Sequence, residues 1–299
     1  MNFILNRRFF LRQCVISASC THWVSPCFSL SNETSFSNEE KRVLRKLRFA
    51  LWFHNPLPIR LSEQQFLCYL PLESESQKLL NIEVSMPYKV EEDTLGHNLL
   101  RLVFNEVPGF FQKVVTLNIT IECIKKVAKL TSFFPADWLQ PERFIESNAS
   151  QVVKLASELK REFQLETAKS IFDWVTHNIS YSGYIAEDLG ALYALENRRG
   201  DCTEYAYLVV ALARANHIPA RMVGGYVTDS NTIAPKPQDY HDWAEISLEG
   251  QWHIIDAQKR NFFPSRNQYI AFRIHHDLPN NKIGTAHRYR VDGRLQVIY

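Results

Sequence analysis

Apolar and polar residues alternate along this chain in two different rhythms, and the change between them divides it. Upstream, 47–53 is a candidate strand, and apolar side chains fall at every second position in 81–86, in part in 100–104, and from Thr116 onward in 114–122, the spacing of a half-buried strand. Asn55-Pro56, Pro87, Gly96-His97-Asn98 and Pro108-Gly109 punctuate these runs with turn chemistry. Short strands with alternating faces, joined by tight turns, predict a β-sandwich over residues 41–131.

From about residue 145 the spacing becomes helical. Val152, Leu155, Ala156 and Leu159 fall on one face of a predicted helix over 150–163, and Ala168, Ile171, Phe172 and Val175 on one over 165–177. A third helix is expected from Cys202 to about residue 215. Its apolar positions run nearly all the way round, so it should be buried. Period-two segments return at 220–228, 241–248 and 251–256, the last two flanking Glu249-Gly250, a two-residue hairpin signal. Further strands are expected at 269–274 and 288–297. The class is therefore α+β, with a sandwich at 41–131 followed by a helix-and-antiparallel-sheet unit at 145–299.

Composition narrows the function. Of the 299 residues, 45% are hydrophobic and 22% charged, a balance that supports packed cores. A net charge of +2 gives no reason to expect nucleic acid or an anionic membrane as partner. No span of apolar residues long enough to cross a bilayer follows the N-terminus. Residues 6–12, Asn-Arg-Arg-Phe-Phe-Leu-Arg, resemble a twin-arginine export motif with Arg7 and Arg8 as the pair. Residues 1–35 read as an export signal, which implies a periplasmic or exported protein; without that signal the location would be cytoplasmic.

The chain has 6 cysteines. Cys14, Cys20 and Cys27 fall in the signal segment, and Cys68, Cys123 and Cys202 follow it. They form no CxxC pair, and the histidines form no HExxH, so no metal and no cofactor is expected. Cys68 and Cys123 read as small buried apolar residues. Cys202 stands apart because Gly200-Asp201-Cys202 opens a helix, with Asp201 as a plausible N-cap. A free thiol titrates at roughly 8.5, and a helix N-terminus or a nearby imidazolium lowers that value. Such a thiol needs a histidine oriented by an acceptor. If Glu249 and Gly250 are the turn, His241 stands opposite residue 258. Asp256 is then its diagonal neighbour on the same face. A slip of one residue would point the two side chains to opposite faces.

Three blocks occur in a telling order. They are Arg199-Gly200-Asp201-Cys202-Thr203-Glu204, then Ile218-Pro219-Ala220-Arg221 through Gly224-Gly225-Tyr226, then His241-Asp242-Trp243-Ala244-Glu245 with Trp252-His253-Ile254-Ile255-Asp256. Together they resemble the bacterial transglutaminase-like superfamily, of papain-like fold, over roughly residues 165–260. The resemblance implies Cys202 as nucleophile, His241 as base and acid, and Asp256 as orienter. Asp201, Trp243, Glu245 and Tyr226 would support the site or its substrate, with Glu245 paired to Arg221. Tyr181 and Tyr184 are read as lying outside the oxyanion site. The strands around Pro71 and 93–98 also resemble the β-rich N-terminal domain of such proteins. The family's usual glycine before Ile-Pro-Ala-Arg is His217 here, so Asn216 is expected to take the left-handed turn.

The implied activity is thiol-dependent acyl transfer or hydrolysis at amide bonds of a protein or peptide. Water as acceptor makes a protease or amidase, and an amine makes a transglutaminase. Two other readings fit the same residues: an acyl-CoA-dependent acyltransferase, and a non-catalytic module that holds a peptide.

Overall fold

A computed structural model describes residues 42–124, 128–129, 135–277, 282–284 and 287–298. The proposed export segment 1–35 lies outside them. The upstream strands are β1 (Arg42–His54), β2 (Leu61–Tyr69), β3 (Gln77–Val84), β4 (Lys89–Glu92), β5 (Asn98–Val107) and β6 (Gln112–Ile124). β1 and β6 pair antiparallel along their whole lengths, from Arg42 opposite Ile124 to His54 opposite Gln112, and β3 extends that sheet. β2, β5 and β4 form a second sheet. Alternation decides the faces: Leu47, Phe49, Leu51 and Phe53 of β1 are buried while Arg48, Ala50 and Trp52 are exposed. The inner faces meet through aromatic rings, with Phe53 lying 5.1 Å from Phe66 and 4.9 Å from Phe104. The N-terminal region is β-rich, and its core continues into Tyr226, Ile270 and Phe272 of the downstream sheet. β2 escapes the period-two pattern because Ser-Glu-Gln-Gln opens it. Buried Gln64 replaces an apolar contact with hydrogen bonds from the backbone N–H groups of Arg294 and Leu295.

After β7 (Ala128–Lys129) the chain forms α1 (Ser150–Leu159), α2 (Gln164–Asn178), β8 (Ser180–Tyr181), α3 (Gly190–Asn197), β9 (Arg199–Gly200) and α4 (Cys202–Ala215). Next come β10 (Ala220–Val227), β11 (Thr232–Ile233), β12 (Tyr240–Leu248), β13 (Gln251–Asp256), β14 (Asn261–Phe262) and β15 (Tyr269–His275). The sheet runs β14-β13-β12-β10-β15, with β7 also pairing β13. As its apolar girdle predicts, α4 is buried from Thr203 to Arg214. It packs with the buried faces of α1, α2 and α3 and with Ala244 and Ile246 of the sheet. The short helix α3 carries too few turns to announce itself by periodicity.

One local expectation fails. Asn216 keeps a φ of −92°. His217 itself takes the left-handed position, with a φ of 59°. The N–H groups of His217 and Ile218 then satisfy the carbonyls of Arg214 and Ala213 at 2.9 Å each. The Asn216 side chain donates instead to the Ala156 carbonyl at 2.9 Å, tying the end of α4 to α1.

The final residues form β16 (Tyr289–Asp292) and β17 (Gln296–Ile298). Between them Gly293 has a φ of +128°, and a Cβ there would lie 2.1 Å from Gln64 Oε1, so the expected 288–297 strand breaks into two. β16 pairs with β2, and β17 pairs with β1. β11 also pairs with β1, in parallel, at Lys46 and Leu47. The chain after Asp277 thus returns to the N-terminal sheets, and β1 is edged by segments from far downstream. Among the described residues no helix is long and apolar enough to cross a membrane.

Candidate active site

Cys202 is the first residue of α4, and its setting begins with the cap. Asp201 Oδ1 accepts the Thr203 N–H at 2.8 Å, while the Asp201 N–H donates to Glu204 Oε2 at 3.0 Å. This reciprocal pair satisfies two of the donors that a helix start leaves open. Asp201 Oδ2 also accepts the Ile185 N–H at 2.9 Å, fastening the preceding loop to the helix. Glycine is required at 200 because a Cβ would sit 2.4 Å from Glu204 Cβ. Burial pushes the Glu204 carboxyl up to about 7.

The histidine arrives by strand register. Leu248 faces Gln251 and Ala244 faces Ile255. Glu249 and Gly250 both have positive φ, 51° and 75°, as a type I′ turn requires. The predicted register is the observed one, and it places Asp256 diagonally from His241. His241 Nε2 and Asp256 Oδ2 are 2.8 Å apart. A neutral imidazole that donates through Nε2 keeps Nδ1 free to accept a proton. Two more donors hold the carboxylate. The Lys259 N–H reaches Oδ1 at 3.0 Å, and the Tyr269 hydroxyl reaches Oδ2 at 3.0 Å. Sequence reasoning missed Tyr269 because β15 reaches this site across the sheet, not by spacing. Removing that one hydrogen bond in Tyr269→Phe should lower kcat/KM about 10-fold, from a loss of about 1.4 kcal/mol. An unchanged pre-steady-state acylation rate would count against the role.

Period two on β12 puts His241, Trp243 and Glu245 on one face. Trp243 is buried and lies nearly parallel to the imidazole, with ring centroids 6.4 Å apart and planes at 28°. It supports the histidine as a wall. Glu245 accepts from Arg221 Nε and Nη2 at 2.9 and 2.6 Å and pairs with Arg266 at 2.8 Å. The expected Arg221–Glu245 pair is therefore a three-membered buried cluster, and its carboxylate is 2% exposed. Glu245 is absent from the cleft lining, so its place is structural.

Cys202 and His241 line one cleft of about 360 Å³ with Tyr181, Tyr226, Ile233 and Lys259 among its walls. Tyr226 is buried at its base, with its ring 5.5 Å from Tyr240 and 5.3 Å from Phe272. Tyr181 lies on the wall, whereas Tyr184 does not line it. β11 brings Ile233 to the cleft through its pairing with β1. Arg45 of β1 fixes that segment by donating to the carbonyls of Asp229 and Asn267.

The electrostatics depart from the sequence expectation. Burial pushes the Cys202 thiol well above its ordinary value, and the carboxylates of Asp242 and Asp201 add to the effect. A backbone hydrogen bond from Asp242 and a side-chain bond from Thr203 oppose it. Burial, with two carboxylates that motif spacing does not reveal, therefore opposes the helix start and disfavours the thiolate. Burial also works against ionisation of Asp242, but His275 and His287 outweigh it and hold the carboxyl far below the usual range.

Residues 152–257 match the sequence profile of the transglutaminase-like superfamily, a span that includes Cys202, His241 and Asp256. Among solved structures, a candidate cysteine protease from Cytophaga hutchinsonii aligns at a TM-score of 0.59 and 21% identity, over 87% of this chain and 90% of that one. That likeness is one of fold. The periplasmic domain of TgpA from Pseudomonas aeruginosa aligns at a TM-score of 0.40 and 16% identity, over 76% of this chain and 94% of that one. No curated protein matches the chain. The protein thus has a mixed α+β fold, with a transglutaminase-like core and a β-rich N-terminal region.

Proposed function

We propose that this chain is a thiol-dependent acyl-transfer or hydrolytic enzyme acting on amide bonds of protein or peptide substrates, with Cys202 as nucleophile, His241 as base and acid, and Asp256 as orienter. The observation that carries this reading is the 2.8 Å His241–Asp256 bond beside a cleft that Cys202 also lines. The thiol proton passes to His241 as the sulfur attacks the carbonyl carbon. A backbone N–H at the start of α4 is suited to receive the developing oxyanion. Collapse expels the amine, which takes the proton from His241 and leaves a thioester on Cys202. Water then releases an acid, or a second amine releases a new amide. In the same reading residues 1–35 direct export, residues 41–131 form a supporting sandwich, and catalysis belongs to residues 145–299.

The test is to trap the intermediate. Incubation with a glutamine peptide or a protein amide, followed by acid quench and mass spectrometry, should find a hydroxylamine-labile adduct on Cys202. An adduct elsewhere, or equal labelling of Cys202→Ala, would sink the proposal. The same cleft also fits one other reading, a module that binds peptide without cleaving it. That reading expects Cys202→Ser to bind the peptide unchanged while the native chain forms no thioester.

A further inference from the structure

We propose that Asp242, His275 and His287 form a site for one divalent transition-metal ion, zinc in the first instance, directly behind the catalytic cleft. The three come from β12, from the end of β15 and from the turn before β16, so no local spacing in the sequence discloses them. One ligand atom from each lies within 4.8 Å of the others. Asp242 Oδ1 stands 3.3 Å from His275 Nε2, and Asp242 Oδ2 stands 3.4 Å from His287 Nδ1. Tetrahedral zinc with bonds of about 2.0–2.1 Å separates its ligands by roughly 3.3–3.4 Å, a spacing that each histidine meets to one oxygen of the Asp242 carboxylate.

Two further observations point to a ligand. Asp242 Oδ1 and His275 Nε2 are buried, face one another, and make no hydrogen bond. Their side chains are 3% and 7% exposed. Buried polar atoms of this kind normally find a partner, and a shared cation would satisfy both. The outer contacts also fit. His287 Nε2 lies 2.9 and 3.1 Å from the two oxygens of Asp188, and the Tyr207 hydroxyl donates to Asp188 Oδ2 at 3.0 Å. A carboxylate on the far nitrogen of an imidazole is the usual support of a metal-bound histidine. The Thr203 hydroxyl donates to Asp242 Oδ2 at 3.1 Å, which links the cluster to the first turn of α4. A cavity of about 20 Å³ lined by Asp188, Tyr207, Arg273 and His275 borders the cluster, room for about one water-sized species. The charge of Arg273 counts against the site, and the carboxylates of Asp188 and Asp242 outnumber it. Imidazole and carboxylate ligands select zinc, iron or nickel over calcium and magnesium. The ion would clamp two separate segments to β12, the strand that carries both Asp242 and His241.

The full chain with Cys14, Cys20, Cys27 and Cys202 changed to Ser keeps only Cys68 and Cys123, both buried, as competing thiols. Stripped with EDTA, incubated with Zn²⁺ and desalted, it should retain one equivalent of zinc and melt at a higher temperature than the stripped form. Co²⁺ in place of zinc should give tetrahedral visible bands. The same chain with His275→Gln and His287→Gln should lose that equivalent. Asp188→Asn, which leaves all three ligands in place, should weaken zinc binding about 10–100-fold. No retained zinc, or a full equivalent in the double variant, overturns the site. If the double variant does not fold, unchanged zinc affinity in Asp188→Asn overturns it instead.

Discussion

Replacing His241 with Ala should slow acylation of Cys202 by about 10⁴- to 10⁶-fold, read as thioester formation in single-turnover experiments. The size follows from the state of the sulfur. Burial and the carboxylates of Asp242 and Asp201 hold the thiol above its ordinary value, so little thiolate exists without a base to receive the proton. His241 is placed for that task by its bond to Asp256, by the Tyr269 hydroxyl and Lys259 N–H on the same carboxylate, and by the flanking indole of Trp243. Because base and nucleophile act in one step, adding His241→Ala to Cys202→Ala should cost nothing further. A His241→Ala protein that forms the thioester within about ten-fold of the native rate would mean that another group takes the proton.

The second large effect falls on stability. Glu245→Ala should destabilise the fold by about 3–5 kcal/mol, measured by urea unfolding with an unchanged m-value. The carboxylate joins two cations, Arg221 at 2.6 Å and Arg266 at 2.8 Å. Removing it leaves buried Arg221 and partly buried Arg266 without their counter-charge, which costs more than the pair itself contributes. Arg221 has little room to turn away, since its guanidinium lies 4.1 Å from the Trp252 ring centroid. Glu245→Gln should cost less than the alanine because the amide oxygen still accepts a hydrogen bond. A loss under about 1 kcal/mol in Glu245→Ala would show that the arginines find other partners.

The parts of this fold that the sequence disclosed are those fixed by short-range repetition. Period two located β5 and β6. Helical spacing located α1, α2 and α4, and a single turn dipeptide fixed the register that joins His241 to Asp256. Elements that depend on distant partners stayed hidden. β2 carries Gln64 inward because Arg294 and Leu295 meet it there, some two hundred residues later. Tyr269 reaches Asp256 from another strand, and Asp242 gathers His275 and His287 from two further segments. The charge around Cys202 followed the same rule. Its helix start was legible, while the carboxylate of Asp242 that offsets it comes from a strand across the core. His217 shows the limit of substitution arguments: the backbone closure of α4 needs a left-handed residue at that position, and it holds whichever side chain is present.

The pairing of β17 with β1 and of β16 with β2 also has a temporal meaning. During synthesis β1 and β2 emerge more than two hundred residues before these last partners. Until then the sandwich carries two unsatisfied edges, the arrangement that recruits stray strands from other chains. Contacts of such long sequence separation close slowly because the loop entropy is spent before they form. A nascent chain stalled before Tyr289 would therefore be the species most exposed to aggregation and most dependent on chaperones.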